Sequence, residues 1–322
     1  MERSFSGKRP VLTGSHLSPP FISQRVLKTI LSPIGRRRIG TLSFALLVAI
    51  TMAGCQSLVV SASKKLAEDV ADAIMNQDDY ETVRDGAPAF LLLIDGMISS
   101  NPENEHLLQA GAKLYGSYAS AFADDPGRQQ RLALKARRYA NLALCSRDEK
   151  LCRVIDGPFD EFILTLDRSS ERDVPALFTT ASAWTTWIQV NSADWDAITD
   201  LPRVEAILKR VVKLEPGYER GMPYIYLGVL STLRPPALGG KMEEGLYSFQ
   251  RAIDLSRGKN LMAKALMAQH YARMIFDREL HDRLCNEVLD ESPEEDGLTL
   301  INILAKRLAL HLLNESEEYF GD

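Results

Sequence analysis

The chain has 322 residues, 45% apolar and 25% charged, with 20 Gly and 15 Pro, which excludes a collagenous or wholly disordered polymer and leaves ample material for a core. Its net charge of −5 is uneven, because residues 1–54 carry eight Lys or Arg against the single acid Glu2, leaving 30 basic against 42 acidic residues beyond them. A body this acidic is repelled by phosphate backbones, which counts against nucleic acid as a partner.

Arg36, Arg37 and Arg38 precede an uncharged run from Ile39 to Ser63, whose most apolar part, Leu42 to Ile50, leads into Met52-Ala53-Gly54-Cys55. The order is basic, apolar, small, cleavage point, as in an export signal. A membrane-spanning helix needs about 20 apolar residues, and Gly54, Gln56 and Ser57 interrupt the run too early for that. Ala53-Gly54-Cys55 resembles a bacterial lipobox, in which the Cys55 thiol takes a diacylglycerol and becomes the mature N-terminus; Met52 stands where Leu is commonest. Acyl chains hold a protein on a bilayer through about 0.8 kcal/mol per buried methylene. Gln56 after the cysteine resembles a signal for the outer membrane rather than for inner-membrane retention. Residues 1–35, rich in Pro, Ser and Gly, are either an unstructured extension or the product of an upstream start site. The expected division is 1–54 extension and signal peptide, 55–62 lipidated N-terminus and tether, 63–315 helical domain, and 316–322 tail.

From residue 58 onward the apolar positions recur with helical period, and strand alternation is nearly missing. Leu132, Ala136, Tyr139 and Ala143 form one row, Leu177, Ala181, Trp184 and Ile188 another, and Leu298, Ile301, Ala305, Leu308 and Leu312 a third. Leu261, Ala265, Ala268, Ala272 and Ile275 read as a single further stripe. Asn101-Pro102, Asp125-Pro126 and Ser292-Pro293 each set a capping side chain before a proline, which predicts helix starts. After Cys55 three cysteines remain. Cys145 and Cys152, seven apart, either close a small disulfide loop or stay reduced, while Cys285 beside Leu284 and Val288 reads as a partly buried thiol.

A repeat near 34 residues is sought in such a chain. Tyr224-x-x-Leu227-Gly228 followed by Gly245-x-x-x-Phe249-x-x-Ala252 resembles a tetratricopeptide hairpin, with Gly228 admitting close helix approach. Val204, Leu208, Val211 and Pro216 fit the second half of a preceding repeat, and 103–145 forms another helical pair. The predicted fold class is all-α, with tetratricopeptide-like hairpins stacked in a superhelix, an α-solenoid.

Several stretches carry a more specific likeness. They are Asp85-Gly-Ala-Pro-Ala-Phe-Leu-Leu-Leu-Ile-Asp95-Gly96, Tyr115-Gly-Ser-Tyr-Ala-Ser-Ala-Phe122, Pro235-Pro-Ala-Leu-Gly-Gly-Lys241, Asn260-Leu-Met-Ala-Lys264, Tyr271-Ala-Arg-Met-Ile-Phe-Asp277-Arg-Glu279 and Leu298-Thr-Leu-Ile-Asn302. Together, over most of 58–314, they resemble the TatT family of tetratricopeptide-type lipoproteins associated with tripartite ATP-independent periplasmic (TRAP) transporters. The resemblance implies an all-helical periplasmic protein that assembles as a homotrimer, associates with the transporter's solute-binding subunit, and offers a cleft or pore to a small hydrophobic or carboxylate ligand.

No His-Glu-x-x-His spacing links His16, His106, His270, His281 or His311, no Cys pair has two-residue spacing, and Gly239-Gly240-Lys241 lacks the rest of a phosphate loop. No Gly-x-Ser-x-Gly elbow occurs either. The expectation is therefore a protein without catalytic residues, metal or cofactor. Tyr115, Tyr118, Trp184, Trp187 and Tyr271 are candidates either for packing or for lining a groove. Arg234, Lys264 and Arg273 are candidate partners of a ligand carboxylate, or solvated cations. A competing reading is an envelope scaffold that holds a protein or peptide partner in the same groove, a use that such folds also support.

Overall fold

The computed structural model describes residues 69–321, all within one compact unit, Ser61–Asp322. Arg36 to Arg38, Cys55 and the 55–62 tether lie outside the described residues. The described part is all-helical, with no strand, as the periodicity predicts. Among these residues no helix is long and apolar enough to cross a membrane.

After a helical segment over 69–75 come α1 (Tyr80–Ser100), α2 (Glu105–Ala121) and α3 (Pro126–Arg147). Short α4 (Glu149–Val154) and α5 (Phe159–Leu166) lead to α6 (Val174–Val190), a brief α7 (Trp195–Thr199) and α8 (Leu201–Leu214). Next are α9 (Met222–Thr232), α10 (Met242–Leu255) and α11 (Leu261–Leu266), which runs into a π-helical turn, Met267–Ala272. α12 (Arg278–Asp290), α13 (Thr299–Asn314) and α14 (Ser316–Phe320) complete the chain. The segment expected as a tail is thus helical over Ser316–Phe320, with Ser316 buried and the Phe320 ring 5.1 Å from that of His281.

Helix starts follow capping chemistry. Asp125 accepts from the Arg128 amide at 2.6 Å with Pro126 in the first turn, where its missing N–H costs nothing. The other two predicted starts are corrected. Asn101 ends α1, its amide bonding the Met97 and Ile98 carbonyls, and the cap of α2 is Asn104, whose side chain accepts from His106 and Leu107. Ser292 opens a turn, accepting from the Glu294 amide at 3.2 Å, and α13 begins only at Thr299. The stripe from Leu261 to Ile275 is also not one α-helix, since the π turn interrupts it and Ile275 is exposed.

Neighbouring helices pack in sequence: α2 on α1 and α3, α6 on α3 and α8, α8 on α9, α9 on α10, and α13 on α11 and α12. Glycines let α9 and α10 approach closely. A Cβ on Gly228 would stand 2.9 Å from three atoms of the Phe249 ring, and one on Gly245 would stand 2.4 Å from Thr232 Cγ2. Cys145 and Cys152, with Cα atoms 4.9 Å apart, are joined in a disulfide that ties α3 to α4. Cys285 is fully buried, beyond the partial burial expected.

Helices α1 and α13, with the residues just before each, then meet. Asn76 bonds the Gly297 amide at 2.6 Å and the Asp296 carboxylate at 3.3 Å, the Arg307 guanidinium lies 4.1 Å over the Tyr80 ring, and Leu300 of α13 joins the core built by α1, α2 and α3.

An exposed mid-helix glycine gains about 0.5–1 kcal/mol on conversion to alanine, whereas overpacking a core costs about 1–3 kcal/mol. Gly86→Ala in α1, with nothing within 4 Å, is expected to raise the urea midpoint, and Gly228→Ala to lower it. Equal shifts of one sign would refute the close-approach account.

Candidate functional site

The contact of α13 with α1 leaves a hollow of about 1940 Å³ inside the unit. That exceeds the roughly 300–1,000 Å³ of a drug-sized pocket. Its wall is mostly apolar: Ile74 just before α1, Phe90 and Met97 of α1, Leu114 of α2, Ile225 and Val229 of α9, and Ile301 and Leu304 of α13. Many of the hydroxyls that reach it are satisfied locally. Thr185 donates to the Ala181 carbonyl at 2.8 Å, Thr186 to Ser182 at 3.2 Å and Ser120 to Gly116 at 3.2 Å.

Most of the charged groups in the wall are also paired. Lys113 bonds Glu219, and Arg220 reaches Glu295 at 3.2 Å. Glu219 and Arg220 hold φ of 43° and 55°, a left-handed region that costs non-glycine residues of order 1–3 kcal/mol. This strained turn enters α9 and turns both charges toward their partners. Burial favours a protonated Glu205, but bonds from Lys209 at 2.7 Å and Lys241 at 3.0 Å outweigh it and hold the carboxyl below its ordinary value.

Of the residues singled out by sequence, Tyr118 and Arg234 line the hollow; the other six do not. Arg234 is exposed and has no ion pair among the described residues. Tyr118 is buried, its hydroxyl donating to the Arg84 carbonyl at 3.1 Å. Trp184 is fully buried, its indole N–H donating to Asp200 at 3.0 Å, and the Arg137 guanidinium lies 4.7 Å from its ring and 5.9 Å from that of Trp187. Tyr271 packs against the core, Lys264 bonds Glu287 at 2.8 Å, and Arg273 bonds Glu315 at 3.2 Å.

Tyr115 belongs to a separate clamp. Its hydroxyl donates to Asp95 at 2.8 Å, that of Tyr139 to the other Asp95 oxygen at 2.6 Å, and Lys135 bonds the same carboxylate. Burial works to raise the Asp95 carboxyl, and the bonds from Lys135, Tyr139 and Tyr115 overcome it and lower it. Burial first, then Asp95, pushes the Tyr139 phenol up to about 12. The clamp ties α1 to α2 and α3 and lies outside the wall of the hollow.

Sequence reasoning passed over two wall residues, Gln269 and His270, on the π turn. Burial pulls the His270 imidazole down to about 4, so it is neutral at pH 7. Among the described residues no group of three or more His, Cys, Asp or Glu is placed to hold a metal ion.

Two outcomes are expected. Asp95→Ala leaves the buried Tyr139 phenol without an acceptor and Tyr115 with only the Leu91 carbonyl at 3.3 Å, and is expected to cost about 1–3 kcal/mol in denaturant unfolding, with binding in the hollow unchanged. His270 has a lower pKa folded than its ordinary 6.5, so its share of stability is present above 6.5 and is lost as pH falls toward 4. NMR titration of its ring is expected to show a midpoint near 4; a midpoint near 6.5 would contradict the burial.

Comparison with known proteins fits this architecture. A protein of Treponema pallidum (strain Nichols) described as uncharacterized is 23% identical over 272 residues, covering 79% of this chain and 84% of that one. The family described as TAtT, TRAP transporter T-component, matches residues 76–320, which takes in every helix of the hollow's wall from α1 to α13. The chain belongs to the TRAP transporter T-component family.

Proposed function

We propose that the protein is an accessory component of a TRAP transport system, anchored through lipid on Cys55 to the periplasmic face of the outer membrane, that binds the solute-binding subunit and holds a small hydrophobic or carboxylate ligand in the hollow of its helical domain. Membership of the T-component family supports the transport role. The observation that carries the ligand is the hollow itself, apolar along most of its wall and lined by helices from both ends of the unit. In this reading the helix pairs are degenerate tetratricopeptide hairpins, the protein is a homotrimer, and no bond of the ligand is made or broken.

A peptide-holding scaffold is the less favoured reading. Peptides that add to a protein by main-chain bonding need free backbone donors and acceptors, and the wall here is built of helices whose backbone groups bond one another.

With the cognate solute-binding subunit, titration into the high micromolar range is expected to show association, and its failure would remove the partner. Ser117 and Ser182 both line the hollow. Ser117→Trp with Ser182→Phe is expected to abolish uptake of a fluorescent apolar probe while leaving helix content unchanged; undiminished uptake would show that the probe binds elsewhere. Mass spectrometry of the mature chain is expected to find acyl chains at Cys55, lost in Cys55→Ser.

A further inference from the structure

Two half-buried polar side chains of the hollow's wall have nothing among the described residues to bond. Gln269 and His270 are half-buried, face the hollow, and make no hydrogen bond, ion pair or ring contact among the described residues. Their surroundings in the same wall are apolar, with Leu266 and Met262 one and two turns back and Leu304 from α13. Their polar groups open onto the hollow and not into the protein, so whatever occupies the hollow, water or a guest, is what bonds them, and a guest that displaces water without replacing those bonds forfeits them.

The backbone supports this independently. The π turn carries one residue more than an α turn, seen in the bond from the Arg273 amide to the Ala268 carbonyl, five residues back, at 3.2 Å. In an unbroken α-helix Arg273, four on from Gln269 and three on from His270, would share their face. The extra residue turns it away. Its guanidinium bonds Glu315 at 3.2 Å and His281 Nε2 at 3.3 Å, outside the hollow. The turn therefore removes a cation from this part of the wall and leaves a carboxamide and an imidazole. The imidazole is uncharged at pH 7 because burial holds its proton affinity down. Such π turns are frequent at functional sites.

We propose that Gln269 and His270 form the polar recognition point of the hollow and take an uncharged group that both donates and accepts a hydrogen bond, a hydroxyl or primary carboxamide, on a ligand whose aliphatic body lies against the apolar wall. The carboxamide of Gln269 and the neutral imidazole each supply one donor and one acceptor, which matches such a group. A carboxylate offers only acceptors and would leave the two acceptors unpaired beside its charge. This assignment rests on the ligand-holding reading above and narrows it.

The test uses the full chain and displacement of a fluorescent apolar probe, N-phenyl-1-naphthylamine, by dodecan-1-ol, dodecanamide and dodecanoate at pH 7.5. The alcohol and the amide are expected to displace the probe at concentrations about tenfold below dodecanoate, as one or two neutral hydrogen bonds provide. His270→Leu with Gln269→Leu is expected to erase that preference, and His270→Gln, which keeps a donor and an acceptor, to retain it. Should the double variant fail to fold, His270→Gln and the ring resonances of His270, expected to shift on adding dodecan-1-ol and not on adding dodecane, still decide the matter. If the probe enters but dodecanoate competes as well as the alcohol, or the double variant keeps the preference, the assignment is overturned while the hollow remains a ligand site. If neither the probe nor any of the three compounds enters, the ligand-holding reading itself falls, and this one with it.

Discussion

The hollow depends on a contact between residues more than 200 positions apart. Asn76 bonds Gly297 and Asp296, Arg307 covers Tyr80, and Leu300 enters the core of α1, α2 and α3. Without that junction the stack of neighbouring helices would open and its inner wall would face bulk water. With it, an apolar surface of the kind that proteins ordinarily bury or use for binding is kept inside. Each helix pair contributes its own packing, but the interior space belongs to the whole unit.

An apolar hollow selects by its exceptions. Lys113, Arg220 and Glu205 each have an opposite charge beside them and bring little unspent attraction to a guest. The Asp95 clamp, though richer in charge, is turned outside the wall and is satisfied by two phenols and an ammonium. The half-buried polar side chains left without a partner among the described residues are the neutral pair on a backbone irregularity, beside exposed groups such as Arg234 and Gln189. Single π turns are frequent at functional sites, and here Arg273, just past the turn, bonds Glu315 and His281 outside the wall.

The all-helical class was legible because apolar spacing is a local property. Leu177, Ala181, Trp184 and Ile188 show it on α6, and all four are buried. Gly228 could be read as a point of close approach because only a missing Cβ admits Phe249 there. The start of α2 was misread because Asn101 and Asn104 are equally good caps by type, and the choice lies in where α1 ends. The aromatic residues were ambiguous for a related reason: Trp184 and Tyr115 are chemically suited to a groove and to a core alike, and only their partners decide. His270 carried no local signal at all. Its spacing from Leu266 fits an ordinary helix, so neither the π turn nor the hollow that it faces is written in neighbouring residues.

The buried Cys285 has a bearing on how the chain matures. Burial first, and then the nearby Asp282, push its thiol up to about 12, and the side chain has no exposed surface. Thiolate is the species that attacks a disulfide, so in the native fold this sulfur is withdrawn from exchange. Cys145 and Cys152 lie only seven residues apart, bonded to each other. Once the core around α12 has formed, oxidative scrambling has no third participant among the described residues, and the packing of α12 thereby protects the linkage between α3 and α4.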